Sequence, residues 1–205
     1  MTMSSSQKHV SSGSVSDDML HQQLTDAIDV LREVQAQLPD VRLVADMLIE
    51  ALRAGKRLYL IGNGGSALDA QHFAAELVGH FRTNHRPLPA FALTADGGIL
   101  TSLANDFDFN HVFVRQLEAY GMPGDVLIVF STSGNSQNAL EAINSARSIG
   151  MSTLVFAGNE GGKMRGRSDY SLFISSKDTA RIQEAHLVYI HLLSELIDAA
   201  FPSTQ

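Results

Sequence analysis

Apolar positions recur at helical spacing from Asp17 to Leu38, through Leu20, Leu24, Ala27, Ile28, Leu31, Val34 and Leu38, and Pro39 interrupts the run. A second stripe, Val41, Val44, Ala45, Leu48, Ile49 and Leu52, stops at Gly55, a residue suited to ending a helix. The pattern predicts an N-terminal helical pair. Two destinations are open to such a pair: the rest of the chain, or a neighbouring subunit.

From residue 57 onward short apolar runs alternate with helical stretches. Strands are predicted at 57–61, 90–94, 125–130, 152–157 and 170–174, and helical segments at 67–82, 98–104, 111–120, 137–149 and 179–200. The strands are continuous in Leu, Ile, Val and Phe rather than alternating, so both faces of the sheet are expected to be covered. Helical crossovers between such strands predict an α/β fold: a doubly wound, mainly parallel five-stranded sheet with flanking helices. No internal repeat or inter-domain linker interrupts it, so one domain is expected over 17–205. Residues 1–16 contain seven serines and read as a disordered, Ser-rich lead.

Ligands of doubly wound sheets sit beyond the carboxyl ends of the strands, where this chain carries two suggestive corners. Ser131-Thr132-Ser133-Gly134-Asn135-Ser136 follows the apolar run 125–130 and precedes a helix. Such a corner offers a phosphate free backbone N–H groups, hydroxyl donors and the positive end of a helix dipole. No Lys stands in the P-loop position, so a phosphosugar fits better than a nucleoside triphosphate. The second corner, Gly62-Asn63-Gly64-Gly65-Ser66, opens the helix after the first strand. Either corner alone is explained by the need to turn the chain. Two of them at one sheet end favour a shared ligand, and Gly158-Asn159-Glu160-Gly161-Gly162 lies at the same end.

Beside the second corner, His72 and Glu76 are spaced to share one helix face, where they suit a metal or a proton relay, or simply face solvent. The last helix carries Gln183, His186 and His191. Gln183 and His191 lie roughly 12 Å apart along its axis, so both can border one pocket, but must lean together to reach one ion. His186 reads as a structural or surface histidine. Asn105 and Asp106 read as a helix stop, and Asp96 as a helix N-cap.

Composition narrows the partners. The 205 residues are 44% hydrophobic and 18% charged with a formal net charge of −7, and no Lys/Arg block marks a nucleic-acid or anionic-membrane footprint. The absence of cysteine excludes disulfides and thiolate chemistry. No apolar run is long enough to span a bilayer and the lead lacks the features of a signal peptide, so a soluble, cytoplasmic protein is expected.

Taken together, the residues resemble the sugar isomerase (SIS) family, and more narrowly the bacterial phosphoheptose isomerases. The carriers are Gly62 to Ser66, Asp69-Ala70-Gln71-His72-Phe73-Ala74-Ala75-Glu76-Leu77, Ala104-Asn105-Asp106-Phe107 and Gly124-Asp125-Val126-Leu127. They continue through Ser131 to Ser136, Gly161-Gly162-Lys163-Met164 and Arg181-Ile182-Gln183-Glu184-Ala185-His186. The resemblance implies interconversion of sedoheptulose 7-phosphate and a glycero-manno-heptose 7-phosphate, the first step toward nucleotide-activated heptose for cell-surface polysaccharide. It implies a homotetramer with sites near subunit contacts and one zinc ion per subunit held by His72, Glu76, Gln183 and His191. It also implies phosphate contacts from Ser131, Thr132, Ser133 and Ser136, and a sugar site lined by Asn63, Gly64, Gly65, Ser66, Asn105, Asp106 and Gln183. Glu76 would be the catalytic base and His191 its partner in proton exchange.

Two departures bear on the substrate. The isomerases usually carry Arg where Gly79-His80-Phe81 has His80, and hydroxyl residues where Gly97 and Gly98 stand. A related sugar phosphate is therefore an alternative substrate. A different class of alternative is the non-enzymatic SIS protein that binds the replication initiator DnaA, to which Leu196-Ile197-Asp198-Ala199-Ala200-Phe201-Pro202 is similar. That scaffold lacks groups matching Glu76 and His191, which favours an enzyme here. A phosphosugar-sensing module would need a DNA-binding domain that the short lead cannot form.

Overall fold

The computed structural model describes residues 16–202. The predicted Ser-rich lead lies, Ser16 excepted, outside the described residues. Ser16 caps α1 (Asp17–Ala36) by accepting a hydrogen bond from the Met19 N–H at 3.2 Å, and Asp17 and Asp18 place negative charge at the positive end of the helix. Gln37 alone separates α1 from α2 (Leu38–Arg53), whose first turn holds Pro39, where a missing N–H is harmless. α2 therefore begins ahead of the apolar stripe that starts at Val41.

β1 (Leu58–Gly62), β2 (Ala90–Ala92), β3 (Val126–Ser131), β4 (Ser152–Ala157) and β5 (Tyr170–Phe173) form one sheet in the order β2-β1-β3-β4-β5. Every neighbouring pair is parallel. Successive side chains enter opposite cores, which is why the strands read as continuous apolar runs. Leu58, Leu60, Val126, Ile128, Phe130, Leu154 and Phe156 pack with α1, α2, α3 (Gly65–Val78) and α7 (Thr179–Ala200). Tyr59, Ile61, Leu127, Val129, Val155 and Ala157 pack on the other face with α4 (Gly97–Asp106), α5 (Val114–Tyr120) and α6 (Gln137–Ile149). No described helix is long and apolar enough to cross a membrane.

The chain leaves β1 for the β2 edge and then returns to β3 on the opposite side of β1, so the crevice between β1 and β3 is the topological switch point. The sequence places the elements correctly but misses two boundaries of consequence. α3, expected to reach residue 82, ends at Val78, with Gly79 at φ −83°, ψ −105°. The carboxylate of Asp198 takes the N–H groups of Arg82 at 2.8 Å and Thr83 at 2.9 Å, drawing them away from further helix. His80 consequently stands in a loop, not on the helix. The stretch 111–120 divides into a 3₁₀ turn, Phe109–His111, and α5.

The N-terminal pair packs unequally. Along α1 only Val30 and Val34 are buried, while Leu20, Leu24 and Ile28 are 53%, 65% and 50% exposed. The apolar stripe that predicted α1 thus lies largely uncovered within a single chain.

Candidate functional site

Two helices start at the switch point without a side-chain cap. α3 has Gly64 at its N-cap, and the N-cap Ser136 of α6 makes no cap bond through its hydroxyl. α1, α4 and α7 are capped by Ser16, Asp96 and Asp178. The first turn of α6 thus keeps N–H groups suited to an anion, whereas in α3 the Ser66 and Ala67 N–H groups already donate to the Asn63 and Gly64 carbonyls at 3.1 Å and 3.0 Å. Gly64 adopts φ +56° with ψ −123°, which side-chain-bearing residues rarely enter.

The corners are held by their own polar groups. Asn63 and Asn138 exchange two amide hydrogen bonds, each 2.9 Å, and so tie the β1 corner to the first turn of α6. The buried Ser131 hydroxyl accepts from Gly134 N–H at 3.1 Å, and the Ser133 hydroxyl accepts from Asn135 N–H at 3.1 Å. Gly134 leaves no room for a side chain, because a Cβ there would meet the Gly161 carbonyl oxygen at 2.2 Å. The corner after β4 is thereby docked against the phosphate-type loop, reinforced by Met164 N–H on the Gly134 carbonyl at 3.1 Å and Lys163 N–H on Asn135 Oδ1 at 3.0 Å.

α3 and α7 run side by side in the same direction and meet through three successive rungs. At the first, Gln183 lies over Gly65 so closely that a Cβ on residue 65 would fall 2.0 Å from its Nε2. At the second, the fully buried His186 faces Asp69, with Nδ1 to Oδ2 at 3.6 Å, and its ring lies 5.7 Å from that of Phe130. At the third, the His72 and His191 rings lie 5.3 Å apart and His72 Nε2 is 3.0 Å from Glu76 Oε1. Phe81 closes the wall by stacking on His191 at 5.4 Å, and the Arg82 guanidinium lies over Phe81 at 5.4 Å.

A metal would find suitable donors at the third rung. Two imidazoles on one tetrahedral ion hold their ring centres about 5 Å apart, close to the spacing of His72 and His191. The buried His72 Nε2 makes no hydrogen bond among the described residues despite its nearness to Glu76. Two imidazoles, a carboxylate and the Gln183 amide suit zinc chemically. Among the described residues, however, no group of three or more His, Cys, Asp or Glu side chains closes around a single ion position, and Gln183 meets α3 at the first rung rather than the third.

A model of the SIS domain matches residues 22–158, well over half of the chain. The chain belongs to the SIS domain family. Within that family it is similar to the phosphoheptose isomerase of Campylobacter concisus, 48% identical over 164 residues that make up 80% of this chain and 87% of that protein. Solved structures agree at the level of fold. A phosphoheptose isomerase from Francisella tularensis matches with a TM-score of 0.84 at 31% identity, over 91% of this chain and 100% of the other. One from Neisseria gonorrhoeae matches with a TM-score of 0.84 at 36% identity, over 89% and 98%. These likenesses place the SIS chain among the phosphoheptose isomerases.

The SIS crevice gathers some expected site residues and leaves others apart. Asn63, Gly64, Gly65 and the buried Ser66 line the β1 corner, Ser131, Thr132, Ser133 and Ser136 form the β3 corner, and His72, Glu76 and His191 meet on α3 and α7. Asn105 and Asp106 close α4 as exposed residues, joined to each other at 2.8 Å and by no hydrogen bond to those corners. Asn138, Phe81 and the Asp69 partner of His186 escaped sequence reasoning. A polar residue at an otherwise buried position of α6 was the available signal for Asn138. No local signal marks Phe81, because the Asp198 contact that breaks α3 early comes from the far end of the chain.

Proposed function

We propose that the chain is an aldose-ketose isomerase that interconverts sedoheptulose 7-phosphate and D-glycero-D-manno-heptose 7-phosphate. The observation that carries this reading is the contact of His72 with both the Glu76 carboxylate and the His191 ring on α3 and α7, two helices of which α3 starts at the glycine-rich β1 corner. The relatives named phosphoheptose isomerase support the same activity. Its product would feed synthesis of nucleotide-activated heptose for cell-surface polysaccharide.

In this reading the phosphate sits among the N–H and hydroxyl groups of Thr132, Ser133 and Ser136, and its binding energy fixes the reacting end of the sugar. Glu76 removes the C1 proton of the ketose, giving an enediol, and returns a proton to C2 of the aldose. His191 exchanges protons with the O1 and O2 oxygens, so that one loses and the other gains a hydrogen as the carbonyl moves. Gln183 and Asn63 orient the sugar hydroxyls. A zinc ion held by His72, Glu76, Gln183 and His191 would supply fixed positive charge against the developing enediolate.

A homotetramer fits the uncovered apolar stripe of α1, which is the kind of face that subunit contact buries. A cytoplasmic location fits a phosphorylated substrate. The deciding experiment is an isomerase assay on a panel of ketose phosphates, run with and without a chelator. Turnover of sedoheptulose 7-phosphate in preference to pentulose and hexulose phosphates is expected. Selective turnover of another ketose phosphate would reassign the substrate, and silence across the panel would remove the enzymatic reading.

A further inference from the structure

Next to the β3 corner lies a cavity of about 230 Å³ lined by Thr132, Ser133, Asn159, Lys177 and Thr179. It joins the hydroxyls of the phosphate-type loop to the first turn of α7, one turn before Gln183. Among the described residues that line it, Lys177 alone is cationic. Two neighbouring cations are engaged elsewhere: Arg181 binds the carbonyl and side-chain oxygens of Gln23 and the Glu184 carboxylate, and Arg165 binds Glu160 over the Phe173 ring; Lys163, next to Asn135 through its N–H, lies outside the cavity lining. Lys177 has no ion-pair partner among the described residues.

The chain on both sides of Lys177 is fixed. Ser176 accepts the Asn159 N–H through its carbonyl at 2.8 Å, and its hydroxyl accepts the Asp178 N–H at 3.1 Å. Asp178, the nearest carboxylate in sequence, caps α7 by accepting from Ala180 N–H at 2.8 Å. Asn159 holds a positive φ of 49°, a conformation uncommon for residues with side chains, at the corner that borders the cavity. A built corner thus presents one lysine to the loop. A phosphate dianion bound by a chain of net charge −7 gains from a local cation in addition to the hydroxyls and N–H groups of the loop.

We infer that Lys177 is the cation that neutralises the substrate's phosphate, in the cavity it forms with Thr132, Ser133, Asn159 and Thr179. The inference rests on the isomerase reading for the identity of the substrate, but the phosphate contact can be measured without turnover. Lys177→Gln and Lys177→Arg are compared with the unaltered protein in isomerase kinetics and in calorimetric titration with inorganic phosphate. Lys177→Gln is expected to raise KM for sedoheptulose 7-phosphate about tenfold with kcat little changed, and to weaken phosphate binding by about the same factor. Lys177→Arg restores most of both. Unchanged KM and phosphate affinity in Lys177→Gln would overturn the assignment while leaving the isomerase intact. Absence of turnover in the unaltered protein, with phosphate binding still dependent on Lys177, would sink the isomerase reading and keep the cation.

Discussion

Of the histidine–carboxylate pairs that border α7, two differ most in their surroundings, and the difference separates a candidate working site from a structural clamp. His85 and Asp198 lie 3.1 Å apart with side chains 0% and 5% exposed. Asp198 Oδ2 accepts from the N–H groups of Arg82 and Thr83 and from the Thr83 hydroxyl, and His85 Nδ1 donates to the Arg86 carbonyl at 2.7 Å. Burial rather than saturation closes that pair: His85 Nε2 and Asp198 Oδ1 make no hydrogen bond among the described residues, but both side chains are enclosed. His72 and Glu76, at 39% and 22% exposure, share one 3.0 Å contact and stay within reach of solvent, with the His72 ring against that of His191. The same pairing of imidazole and carboxylate becomes a tether where it is enclosed and holds backbone N–H groups, and a candidate reactive group where solvent reaches it.

Substitutions can break this contrast, beginning at the crevice. Glu76→Gln keeps the shape but removes the base, so turnover should fall by about a thousandfold or more while the thermal midpoint stays near that of the unaltered protein. An active Glu76→Gln enzyme would make the open pair as inert as the closed one.

The closed pair should show the reverse pattern, with stability rather than chemistry at stake. Asp198→Ala leaves His85 buried without its carboxylate and frees the loop at residues 82 and 83, for an expected loss of about 3 kcal/mol in denaturant unfolding. Burial raises the Asp198 carboxyl, but the N–H bonds from Thr83 and Arg82 and the facing His85 outweigh it and hold the group below its ordinary value. A depressed carboxyl stabilises fully above the unfolded value of about 4 and loses that contribution as pH falls through the folded value. The stability gap between the unaltered protein and Asp198→Ala should therefore narrow in acid.

Smaller effects test what lies between the two pairs. Gly65→Ala must displace the Gln183 amide, whose Nε2 stands 2.0 Å from the new Cβ position. Because the obstacle is the end of a flexible side chain, the fold should persist while catalytic efficiency drops about tenfold, read in kcat/KM. Tyr189 carries a buried hydroxyl without a hydrogen-bond partner among the described residues, and burial, then the charges of Glu33 and Asp40, push its pKa well above the ordinary phenol value. Tyr189→Phe should change unfolding free energy least, from neutral to about 1 kcal/mol more stable.

Much of the fold was legible in the chain. The continuous apolar strands, the helical periods between them and the glycine- and serine-rich corners are local features, and they led to the parallel sheet and its ligand-facing end. The candidate site was legible residue by residue more than as an arrangement. Asn63 was expected to face a sugar; that its amide also pairs with Asn138 across the switch point, 75 positions away, has no local signal. His186 was expected to be structural or exposed, and is fully enclosed against Asp69 and Phe130. The stripe on α1 signalled a helix correctly but not which apolar residues a single chain would bury.

Sequence by itself determined the order and type of elements, because periodicity, turn chemistry and strand composition act within a few residues of their cause. Tertiary structure alone decided which turns of α3 and α7 face each other, where α3 stops, and which histidine stays open. Those outcomes depend on residues more than a hundred positions apart, such as the Gln183 amide over the Gly65 backbone and the Asp198 carboxylate on the Arg82 N–H. Packing two helices on one sheet sets that register, and the register gives each imidazole its chemistry.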